Sequence, residues 1–561
     1  MNILGINYFF HDSSACLVQD GKLTVALEEE RFTRVKHTYS FPYKSIEKCL
    51  SVAKIGFKDI DFVAVSIKPD MHWIKKFSYI LSAVHRSPSL LKHEVFSAYF
   101  KQRDLHQWFN RTWSDVKKPK LYFVPHHLSH AVGSFFVSPY EEAALLGIDG
   151  SGEWATTFMG EGRGNQFTRI NENYFPHSLG SIYEAATEFC GFRPNYDEGK
   201  TMGLAPLGNP AVYFDKVSDI VKVDKKGNLE IDLSYFDYQY WSKNRCSQKF
   251  IETFGKKRQS GEAISENHAD VAAAFQAVLE ARILEMCDIL YHATKMDYLV
   301  FAGGVALNSV ANGRIIRETN FKDIYVMPAA GDNGTSIGAA YYLYNGLLDK
   351  PRRYLHMNPY VGNSYTNSEI EKTLEECKIQ ASFHEDICEV TANLLQEGKI
   401  IGWFQGNMEI GPRALGNRSI LANPTLLNMK DKINAEVKHR EAFRPFAPAC
   451  VKEEKSKYFE IDVEAPFMLK VCKIKKDYLE VIPAVAHVDG TARLQTVDAG
   501  TNPIFYELLQ KFGKQSGIPV LLNTSFNIMG EPIVESPIQA IRCFFSTGLD
   551  HLVLGNYLIS K

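Results

Sequence analysis

Two histidines stand four positions apart in the stretch FVPHHLSHAVGSFF, residues 123–136. Pro125 suits the first turn of a helix, and residues four apart project from one helical face, so His126 and His130 could bind the same metal ion. A helix that only packs its apolar side chains against a core is the simpler explanation of an isolated pair. Whether this pair binds a metal therefore depends on other candidate ligands.

Two aspartates supply candidate ligands of a suitable type. Asp149 and Asp332 each follow an apolar strand, in an Asp-Gly and an Asp-Asn-Gly sequence, where a turn-forming side-chain bond is the ordinary explanation. Together with His126 and His130 they would form a set of two imidazoles and two carboxylates. Such a set can hold iron, manganese or zinc and leaves positions open for a substrate oxygen.

A glycine pair after an apolar strand marks a place where a nucleotide could bind. Gly303 and Gly304 follow the strand YLVFA, so the backbone could approach a ligand closely, and Asn308 could bond a base or a ribose. The chain contains neither the GxxxxGK[ST] of a P-loop nor the GxGxxG of a dinucleotide-binding fold. A nucleotide would therefore bind by another scheme.

A serine hydrolase is an alternative reading of one motif. GTSIG, residues 334–338, matches the GxSxG nucleophile elbow and falls between a strand and a helix. Ser336 could instead simply begin the helix, and hydrolysis would leave the other candidate residues without a role.

Basic side chains in the carboxy-terminal part of the chain stand in turns rich in Gly, Pro and Asn. This shared context suggests that some of them converge, and fixed guanidinium groups are what a phosphate-bearing substrate needs. A solvated surface remains the ordinary explanation for any single one. The six candidates are Arg413, Arg418, Lys438, Arg440, Arg444 and Arg493.

The elements that would position these residues predict α/β domains. NILGIN, ACLVQ and LTVALEEER are predicted strands, and strands joined by an Asp-Gly turn return at EAALLGIDGSGEWATTFMGEG, which suggests a duplicated nucleotide-binding fold. Helices and strands alternate between residues 264 and 345, a pattern typical of a parallel sheet. The periodicity ends around residues 346–365, so the main boundary is predicted near residue 355.

Composition excludes several classes of protein. Among 561 residues, 63 Lys and Arg balance 65 Asp and Glu, so no overall positive field favours a nucleic acid or an acidic membrane. The ten cysteines contain no CxxC pair, as in a reduced cytosolic protein. The amino terminus has no basic leader, and no apolar run reaches membrane-spanning length. We therefore expect a cytoplasmic protein with no nucleic-acid or membrane partner.

Longer motifs resemble one family. The chain is similar to the O-carbamoyltransferases, the group of the aminoglycoside, cephalosporin, ansamycin and nodulation-factor carbamoyltransferases, in motifs that occur in order over almost its whole length. The motifs are FHDSSACLV, EEERFTRVKH, HHLSHA, IDGSGEW, DEGKTMGLAPLG, AGGVALN, GDNGTS, GPRALGNRSILANP, KHREAFRPFAP and LLNTSFN.

The resemblance implies an enzyme with two α/β domains. Residues 1–355 would form a Kae1-like domain of the duplicated actin-like ATPase (ASKHA) class, and residues 356–561 a YrdC-like domain. The YrdC-like domain would convert carbamoyl phosphate and ATP to carbamoyl adenylate, with loss of phosphate and pyrophosphate. The Kae1-like domain would transfer the carbamoyl group to a hydroxyl of a small molecule, such as an antibiotic, a toxin or a saccharide.

The resemblance also implies roles for single residues. His11 would be the general base, while Lys36, Glu198 and Lys200 would line the phosphate path, with Lys36 also acting in catalysis. The metal, iron in the family pattern, would be held by His126, His130, Asp149 and Asp332, and the adenosine by Gly303, Gly304 and Asn308. Carbamoyl phosphate and ATP, with which Mg²⁺ could bind, would be held by Arg413, Arg418, Lys438, Arg440, Arg444, Arg493, Asn523 and Ser525.

Alternatives to this function remain open at this point. A tRNA threonylcarbamoyladenosine-type enzyme is disfavoured, because the chain is not basic and both activities would be fused in it. A non-catalytic actin-like nucleotide module and the Ser336 hydrolase are the others. The acceptor pocket is expected in the aromatic-rich insertions 66–118 and 209–262, and a homodimer is left open.

Overall fold

The computed structural model describes residues 1–83, 98–259 and 261–561, so that parts of both predicted insertions, residues 84–97 and 260, lie outside the described residues. The chain divides into two compact units. The first comprises residues 1–24 and 39–356, and the second comprises residues 25–38 and 357–561. The segment 25–38 thus groups with the carboxy-terminal residues, whereas the sequence prediction placed it in the first domain. The Kae1-like and YrdC-like domain assignments stay predictions.

The first five-stranded sheet is formed by strands from the amino-terminal part of the chain. In chain order its strands are Asn2–Asn7, Ser14–Gln19, Lys22–Glu28, Phe62–Val65 and Lys120–Phe123. In the sheet they lie in the order third, second, first, fourth, fifth. The first strand is antiparallel to the second and parallel to the fourth, and the fourth is parallel to the fifth.

The second five-stranded sheet repeats this arrangement. In chain order its strands are Glu142–Gly152, Ala155–Arg163, Gln166–Tyr174, Tyr298–Ala302 and Asp323–Tyr325. They again lie in the order third, second, first, fourth, fifth, with antiparallel pairing of the first and second and parallel pairing of the first, fourth and fifth. The predicted α/β class and the predicted duplication are therefore confirmed, because one topology occurs twice.

Helices of the first unit connect and cover these strands. They are Tyr43–Ala53, Trp73–Ala83, Ala98–Thr112, His126–Phe136, Leu179–Phe189, Glu198–Leu204, Phe214–Ile220, Gln248–Phe254, Glu266–Thr294, Ser309–Glu318 and Thr335–Tyr341, and a two-stranded ribbon joins Val221–Val223 to Leu229–Ile231. The helix and strand alternation predicted between residues 264 and 345 is confirmed. Asn308 begins its helix by accepting a bond from the Ala311 N–H at 3.1 Å, a favourable N-cap.

The second unit is built on a mixed eight-stranded sheet. Its order is Ser382–Phe383, Tyr557–Ser560, His551–Leu554, Ile401–Phe404, Arg418–Ala422, Val520–Ser525, Ala447–Val451 and Gln495–Val497. Successive side chains of a strand point to opposite faces, so Ile420 and Ala422 enter one hydrophobic core and Leu421 the other. A smaller sheet contains Phe459–Glu460, Val471–Ile474 and Thr491–Arg493.

Seven helices of the described residues belong to this second unit. They are Glu30–Thr33, Asn367–Glu376, Ile387–Gln396, Met429–Ile433, Lys455–Tyr458, Pro503–Ser516 and Pro537–Phe545. All ten cysteines are free, nine of them buried. Within residues 1–83, 98–259 and 261–561, no helix has the length and apolar character needed to cross a membrane.

Candidate functional site

The helix His126–Phe136 carries the two candidate imidazole ligands on one face. Pro125 precedes its first residue, as the sequence predicts, and both His126 and His130 are buried. Because the residues are four apart, their rings come together, and the two Nε2 atoms are 3.1 Å apart. The helix packs against the second sheet, which places both rings beside the strand that carries Asp149.

The two aspartates approach these rings from separate strand ends. Asp149 lies inside the strand Glu142–Gly152, whose register shifts between Ile148 and Gly152, so the turn predicted at Asp149 was wrong. The extra residues of this bulge turn the Asp149 carboxylate towards the helix. Asp332 begins a short turn after the last strand of the same sheet, and it is almost fully buried.

The four predicted ligands converge on one point. Their nearest ligand atoms all lie within 4.8 Å of one another. The Nε2 of His126 lies 3.3 Å from Asp149 Oδ2 and 3.4 Å from Asp332 Oδ1, and the Nε2 of His130 lies 3.3 Å from Asp332 Oδ1. Across the described part of the chain, Asp332 Oδ1 is buried and receives no hydrogen bond. Facing nitrogens and an unbonded carboxylate oxygen fit a single metal ion held by two imidazoles and two carboxylates.

Electrostatics within this cluster favour a cation. Burial opposes the charged form of His126, yet the carboxylates of Asp332 and Asp149 raise the pKa of His126 well above its ordinary value. Burial likewise opposes ionisation of Asp149, but the two imidazoles hold the pKa of Asp149 well below its usual range. Two negative charges therefore need positive charge between them, which a metal ion can supply.

Further residues fix the ligands, and the sequence alone did not point to them. The Glu153 carboxylate accepts hydrogen bonds from the backbone N–H of His126, at 3.0 Å, and of Lys68, at 2.6 Å. A Cβ at Gly152 would lie 2.3 Å from the His126 ring, so only glycine fits there. His126 Nδ1 lies 3.4 Å from the Ser66 carbonyl, which favours a proton on Nδ1 and a free Nε2.

His11, the predicted general base, lies beside this cluster. Its Nδ1 bonds Asp12 Oδ2 at 2.9 Å, and its Nε2 is 3.9 Å from Asp332 Oδ2. The side chain is 32% exposed, in contrast to the buried metal-ligand candidates, so a substrate could reach it. Burial acts against protonation, but the charges of Asp332 and Asp12 raise the pKa of His11 well above its ordinary value.

The glycines predicted to approach adenosine lie next to Asp149. The Gly304 N–H donates to Asp149 Oδ1 at 3.0 Å, and Gly303 has a φ of +91°, where a Cβ would lie 2.2 Å from the Ile148 carbonyl oxygen. Asn308 also lies in this loop region, but its amide is paired with that of Gln276 through bonds of 3.0 and 3.1 Å. Asn308 therefore has a structural role, and its contact with adenosine stays a prediction.

Glu198 and Lys200 lie on the short helix Glu198–Leu204 of the first unit. Burial, and then the charge of Glu184, raises the pKa of Glu198 to about 7. Lys200 Nζ pairs with Asp197 at 3.3 Å. Glu184, which the sequence did not single out, bonds Arg245 at 2.8 Å and is close to Gly150, so it adds a second partly buried acid to this region.

Ser336 does not have the surroundings of a nucleophile elbow. It is the second residue of the helix Thr335–Tyr341 and is 1% exposed. Its hydroxyl accepts a hydrogen bond from Ser14 at 2.9 Å. A buried hydroxyl that bonds another serine cannot attack a substrate, so the structure favours the helix-start explanation.

A cationic cluster occupies the second unit and is formed by Arg413, Arg440, Arg444 and Arg493. Each side chain is partly buried. Burial, followed by the charge of Arg444, lowers the pKa of Arg440 to about 9 and that of Arg413 to about 10. Burial and the other three guanidinium groups lower the pKa of Arg493 well below its usual value. Neighbouring guanidinium groups repel one another, which disfavours the charged form of each.

Two arginines of this cluster, Arg413 and Arg493, have a donor that lacks a compensating hydrogen bond within the described ranges. The Nε atoms of Arg413 and Arg493 are shielded from solvent and find no hydrogen-bond acceptor among the described residues. Arg440 Nε bonds Asn434 at 2.8 Å, and Arg444 lies 3.8 Å from Glu441. Because a buried donor without an acceptor costs free energy, an anion with several oxygens would stabilise the cluster.

Lys438, Asn523 and Ser525 of the predicted set also lie in this unit. Lys438 Nζ donates to the carbonyl of Ser525 and to Asn527 Oδ1, the latter at 2.8 Å. Asn523 Nδ2 donates to Gln495 at 2.8 Å. Burial and the charge of Arg440 hold the pKa of Lys438 well below its usual value, so Lys438 belongs to the same cationic region.

Arg418 differs from the other predicted arginines. It is fully buried, and its guanidinium donates to the carbonyls of Gln405, Asn417, Asn363 and Gly406 while stacking 3.7 Å from the Phe404 ring. All these contacts hold the fold together. Arg418 is therefore not assigned to the proposed phosphate-binding site.

The segment 25–38 brings Lys36 to the second unit. Within that unit, Ala26 N–H donates to the Val361 carbonyl at 3.0 Å, and Arg34 donates to the Ile533 carbonyl at 2.7 Å. The charge of Lys36 contributes to lowering the pKa of Lys438. The structure thus groups Lys36 with the cationic cluster, whereas the sequence analysis paired it with His11 of the first unit.

Comparison with known proteins matches both parts of the chain. Residues 2–341 match the family model for the carbamoyltransferase N-terminus, and residues 392–561 match that for the carbamoyltransferase C-terminus. The uncharacterized protein sll1178 of Synechocystis sp. is 39% identical over 100% of this chain and 97% of its own. The 3'-hydroxymethylcephem-O-carbamoyltransferase of Amycolatopsis lactamdurans is 33% identical over 46% of this chain and 48% of its own. Among solved structures, HypF of T. kodakarensis matches with a TM-score of 0.35 and 12% identity, over 61% of this chain and 46% of that one.

Proposed function

Because the chain belongs to the carbamoyltransferase family and is a transferase, we propose that it is an ATP-dependent O-carbamoyltransferase. In the first step, carbamoyl phosphate, ATP and one water molecule give carbamoyl adenylate, phosphate and pyrophosphate. In the second step, the carbamoyl group passes to a hydroxyl of a small molecule. Support for such an acceptor comes from a relative whose name gives a hydroxymethyl cephem as the carbamoylated compound.

The observation that carries the first step is the cationic cluster of the second unit. Four arginines and Lys438 gather there although their charges repel, and two guanidinium Nε atoms lack acceptors within the described ranges. Phosphate oxygens would both neutralise these charges and accept these hydrogen bonds. We assign the phosphate groups of carbamoyl phosphate and ATP to Arg413, Lys438, Arg440, Arg444 and Arg493, with Ser525 and Asn523 beside them.

The first unit would carry the transfer step. His126, His130, Asp149 and Asp332 would hold one metal ion, for which we propose iron. A bound metal ion would supply positive charge to the phosphate oxygens of the leaving AMP. Gly303 and Gly304 would admit the adenosine close to the backbone, because neither carries a side chain.

His11 would serve as the base of the transfer. Asp12 orients the ring through Nδ1, and a metal cation bound by Asp332 would offset the negative charge that favours a protonated ring, so that Nε2 could take the proton of the acceptor hydroxyl. The hydroxyl oxygen then forms a bond to the carbamoyl carbon, and the bond from that carbon to the AMP oxygen breaks. The electron pair leaves with AMP, and His11 retains the proton.

Separate measurement of phosphate, pyrophosphate and AMP tests this proposal. We expect phosphate and pyrophosphate in equal amounts only when purified protein receives both carbamoyl phosphate and ATP. Arg444→Ala should lose this release, while Arg542→Ala, which changes an exposed arginine of the same unit, should retain it. Pyrophosphate release at the same rate with and without carbamoyl phosphate would refute the activation step.

A further inference from the structure

The first step of the proposed function requires a water molecule, and the inference below rests on that function. Pyrophosphate keeps the oxygen that joined it to AMP, and inorganic phosphate holds four oxygens. Carbamoyl phosphate and ATP together lack the one oxygen that must then link the carbamoyl carbon to the AMP phosphorus. One water therefore enters the reaction, and a group in the second unit must accept its proton. Charged arginines cannot do so.

His487 lies in a tight turn next to the cationic cluster. Its backbone N–H donates to the Thr491 carbonyl at 2.8 Å, and the Gly490 N–H donates to the His487 carbonyl at 3.0 Å. Gly490 has a φ of +75°, which favours glycine. The turn leads directly into the strand Thr491–Arg493.

Strand geometry places the His487 ring on the same side as Arg493. Successive side chains of a strand alternate, so Thr491 and Arg493 share one face, while Ala492 is fully buried on the other. His487 Nδ1 lies 3.0 Å from the Thr491 hydroxyl oxygen. The imidazole therefore lies on the same face of the strand Thr491–Arg493 as the side chain of Arg493, which belongs to the cationic cluster.

The hydrogen bonds around His487 determine which of its ring nitrogens carries the proton. The Thr491 hydroxyl donates its only hydrogen to Asp489 Oδ1 at 2.7 Å, because a carboxylate can only accept. The same hydroxyl oxygen must then accept from His487 Nδ1–H. Nε2 is left with a lone pair, and it is buried with no hydrogen-bond partner in the part of the chain that the structure describes.

The surroundings keep this ring neutral. Burial is the main cause that lowers the pKa of His487 to about 4, and the charges of Arg493 and Lys430 act in the same direction, against that of Asp489. At neutral pH the Nε2 lone pair is therefore available. A dianionic phosphate bound to the arginines would raise the pKa again, which would help the ring to hold a proton during the reaction.

We propose that His487 Nε2 is the general base for the water that attacks the carbonyl carbon of carbamoyl phosphate. The water oxygen forms the new bond to that carbon, and Nε2 takes one proton. The bond between the carbon and the bridging oxygen breaks, and its electron pair leaves with phosphate, which receives the proton from Nε2. The products are carbamic acid and hydrogen phosphate, and carbamic acid loses its remaining proton to solvent. Carbamate then attacks the α-phosphorus of ATP, and the bond from that phosphorus to the oxygen of the leaving pyrophosphate breaks.

The test supplies carbamate directly, which bypasses the attack of water on carbamoyl phosphate. In His487→Asn the amide can still bond Thr491, but no atom replaces Nε2. We expect release of phosphate from carbamoyl phosphate to fall by about 10²- to 10⁴-fold, the range of general-base catalysis. With ammonium carbamate and ATP as substrates, pyrophosphate release should stay within about twofold of the wild type, because carbamate enters after the step that needs the base.

A matched variant controls for loss of an imidazole that bonds a hydroxyl. His551 of the same unit also bonds a hydroxyl through Nδ1, that of Ser560 at 2.9 Å, but it belongs to the eight-stranded sheet and not to the smaller sheet that contains Thr491–Arg493. His551→Asn should retain both activities. If His487→Asn does not fold, as judged by its melting temperature, His487→Gln is measured in its place with the same expectation.

Two results from the variants would overturn the assignment of His487. One is full phosphate release from carbamoyl phosphate by a folded His487 variant. The other is an equal loss of the carbamoyl phosphate and carbamate reactions, which would mark a structural role. A wild-type protein that uses carbamate but not carbamoyl phosphate would also overturn it. A wild-type protein that uses neither would instead refute the proposed function from which the base was inferred.

Discussion

The two candidate sites of this chain have opposite electrostatic designs. In the first unit, His126, His130, Asp149 and Asp332 bring opposite charges within 4 Å, and two carboxylates face the same point. In the second unit, four arginines and a lysine of one sign repel one another. The first arrangement suits a cation between negative ligands, and the second suits an anion between positive ones. This difference fits the proposal that the two units carry different steps of one reaction.

Loss of one carboxylate from the first site should have the largest effect. Asp332→Asn keeps the size of the side chain but removes a negative charge that both imidazoles face. We expect metal affinity to fall by more than the roughly 10- to 100-fold that loss of an outer-shell partner costs. Elemental analysis after dialysis checks this, with Asp349→Asn, an exposed aspartate of the same unit, as control. Equal metal content in both variants would show that the cluster is not a metal site.

Loss of one charge from the second site should weaken substrate binding. Arg493→Ala removes charge-assisted hydrogen bonds worth about 1.5–3 kcal/mol. We therefore expect the KM for carbamoyl phosphate to rise by about 10- to 100-fold in the pyrophosphate-release assay, whereas metal content should stay at the wild-type level. An unchanged KM would separate Arg493 from the phosphate site.

The two sites should also respond differently to ligands in thermal unfolding. A ligand that binds only the folded state at a hundredfold excess over its Kd adds about 2.7 kcal/mol of stability. Inorganic phosphate should raise the Tm of the wild type by several degrees, and this increase should be smaller in Arg413→Ala. Without phosphate, Arg413→Ala should be as stable as the wild type or more so, because one repelling charge is gone. A strong loss of stability without phosphate would indicate that Arg413 mainly supports the fold.

The smallest expected effect concerns an acid of the first unit. The pKa of Glu198 is raised to about 7, chiefly by burial, so between the unfolded value near 4.5 and pH 7 the folded state holds a proton that the unfolded state has lost. Stability should therefore fall as pH rises through this window, by about 1–3 kcal/mol. Glu198→Gln should flatten this part of the stability profile in denaturant titrations between pH 4.5 and 8. A profile as steep as that of the wild type would assign the slope to other groups.

Much of the first site follows from local sequence patterns. The HxxxH spacing places two rings on one helical face, and the glycines after YLVFA lie where they were expected. The position of Asp149 could not be derived in this way, because a bulge inside the strand, and not a turn, directs its carboxylate. The repeated pattern of strands joined by an Asp-Gly turn suggested the duplication. The alternation of strands and helices predicted the parallel pairing.

Other features depend on tertiary contacts that no local pattern records. Arg418 and Arg493 belong to similar turn-rich segments, yet Arg418 is fully buried and bonds four backbone carbonyls, whereas Arg493 is partly buried beside three other guanidinium groups. The grouping of residues 25–38 with the second unit likewise arises from hydrogen bonds to residues more than 300 positions away. His487 carries no motif, and only its bond to Thr491 shows its relation to Arg493.

The separation of the two half-reactions is tested most directly by pyrophosphate release from Asp332→Asn. With carbamoyl phosphate and ATP, this variant should form pyrophosphate at close to the wild-type rate, because the cationic cluster is intact and only the transfer site is damaged. Loss of pyrophosphate release from folded Asp332→Asn, to the level of Arg444→Ala, would contradict the assignment of activation to the second unit.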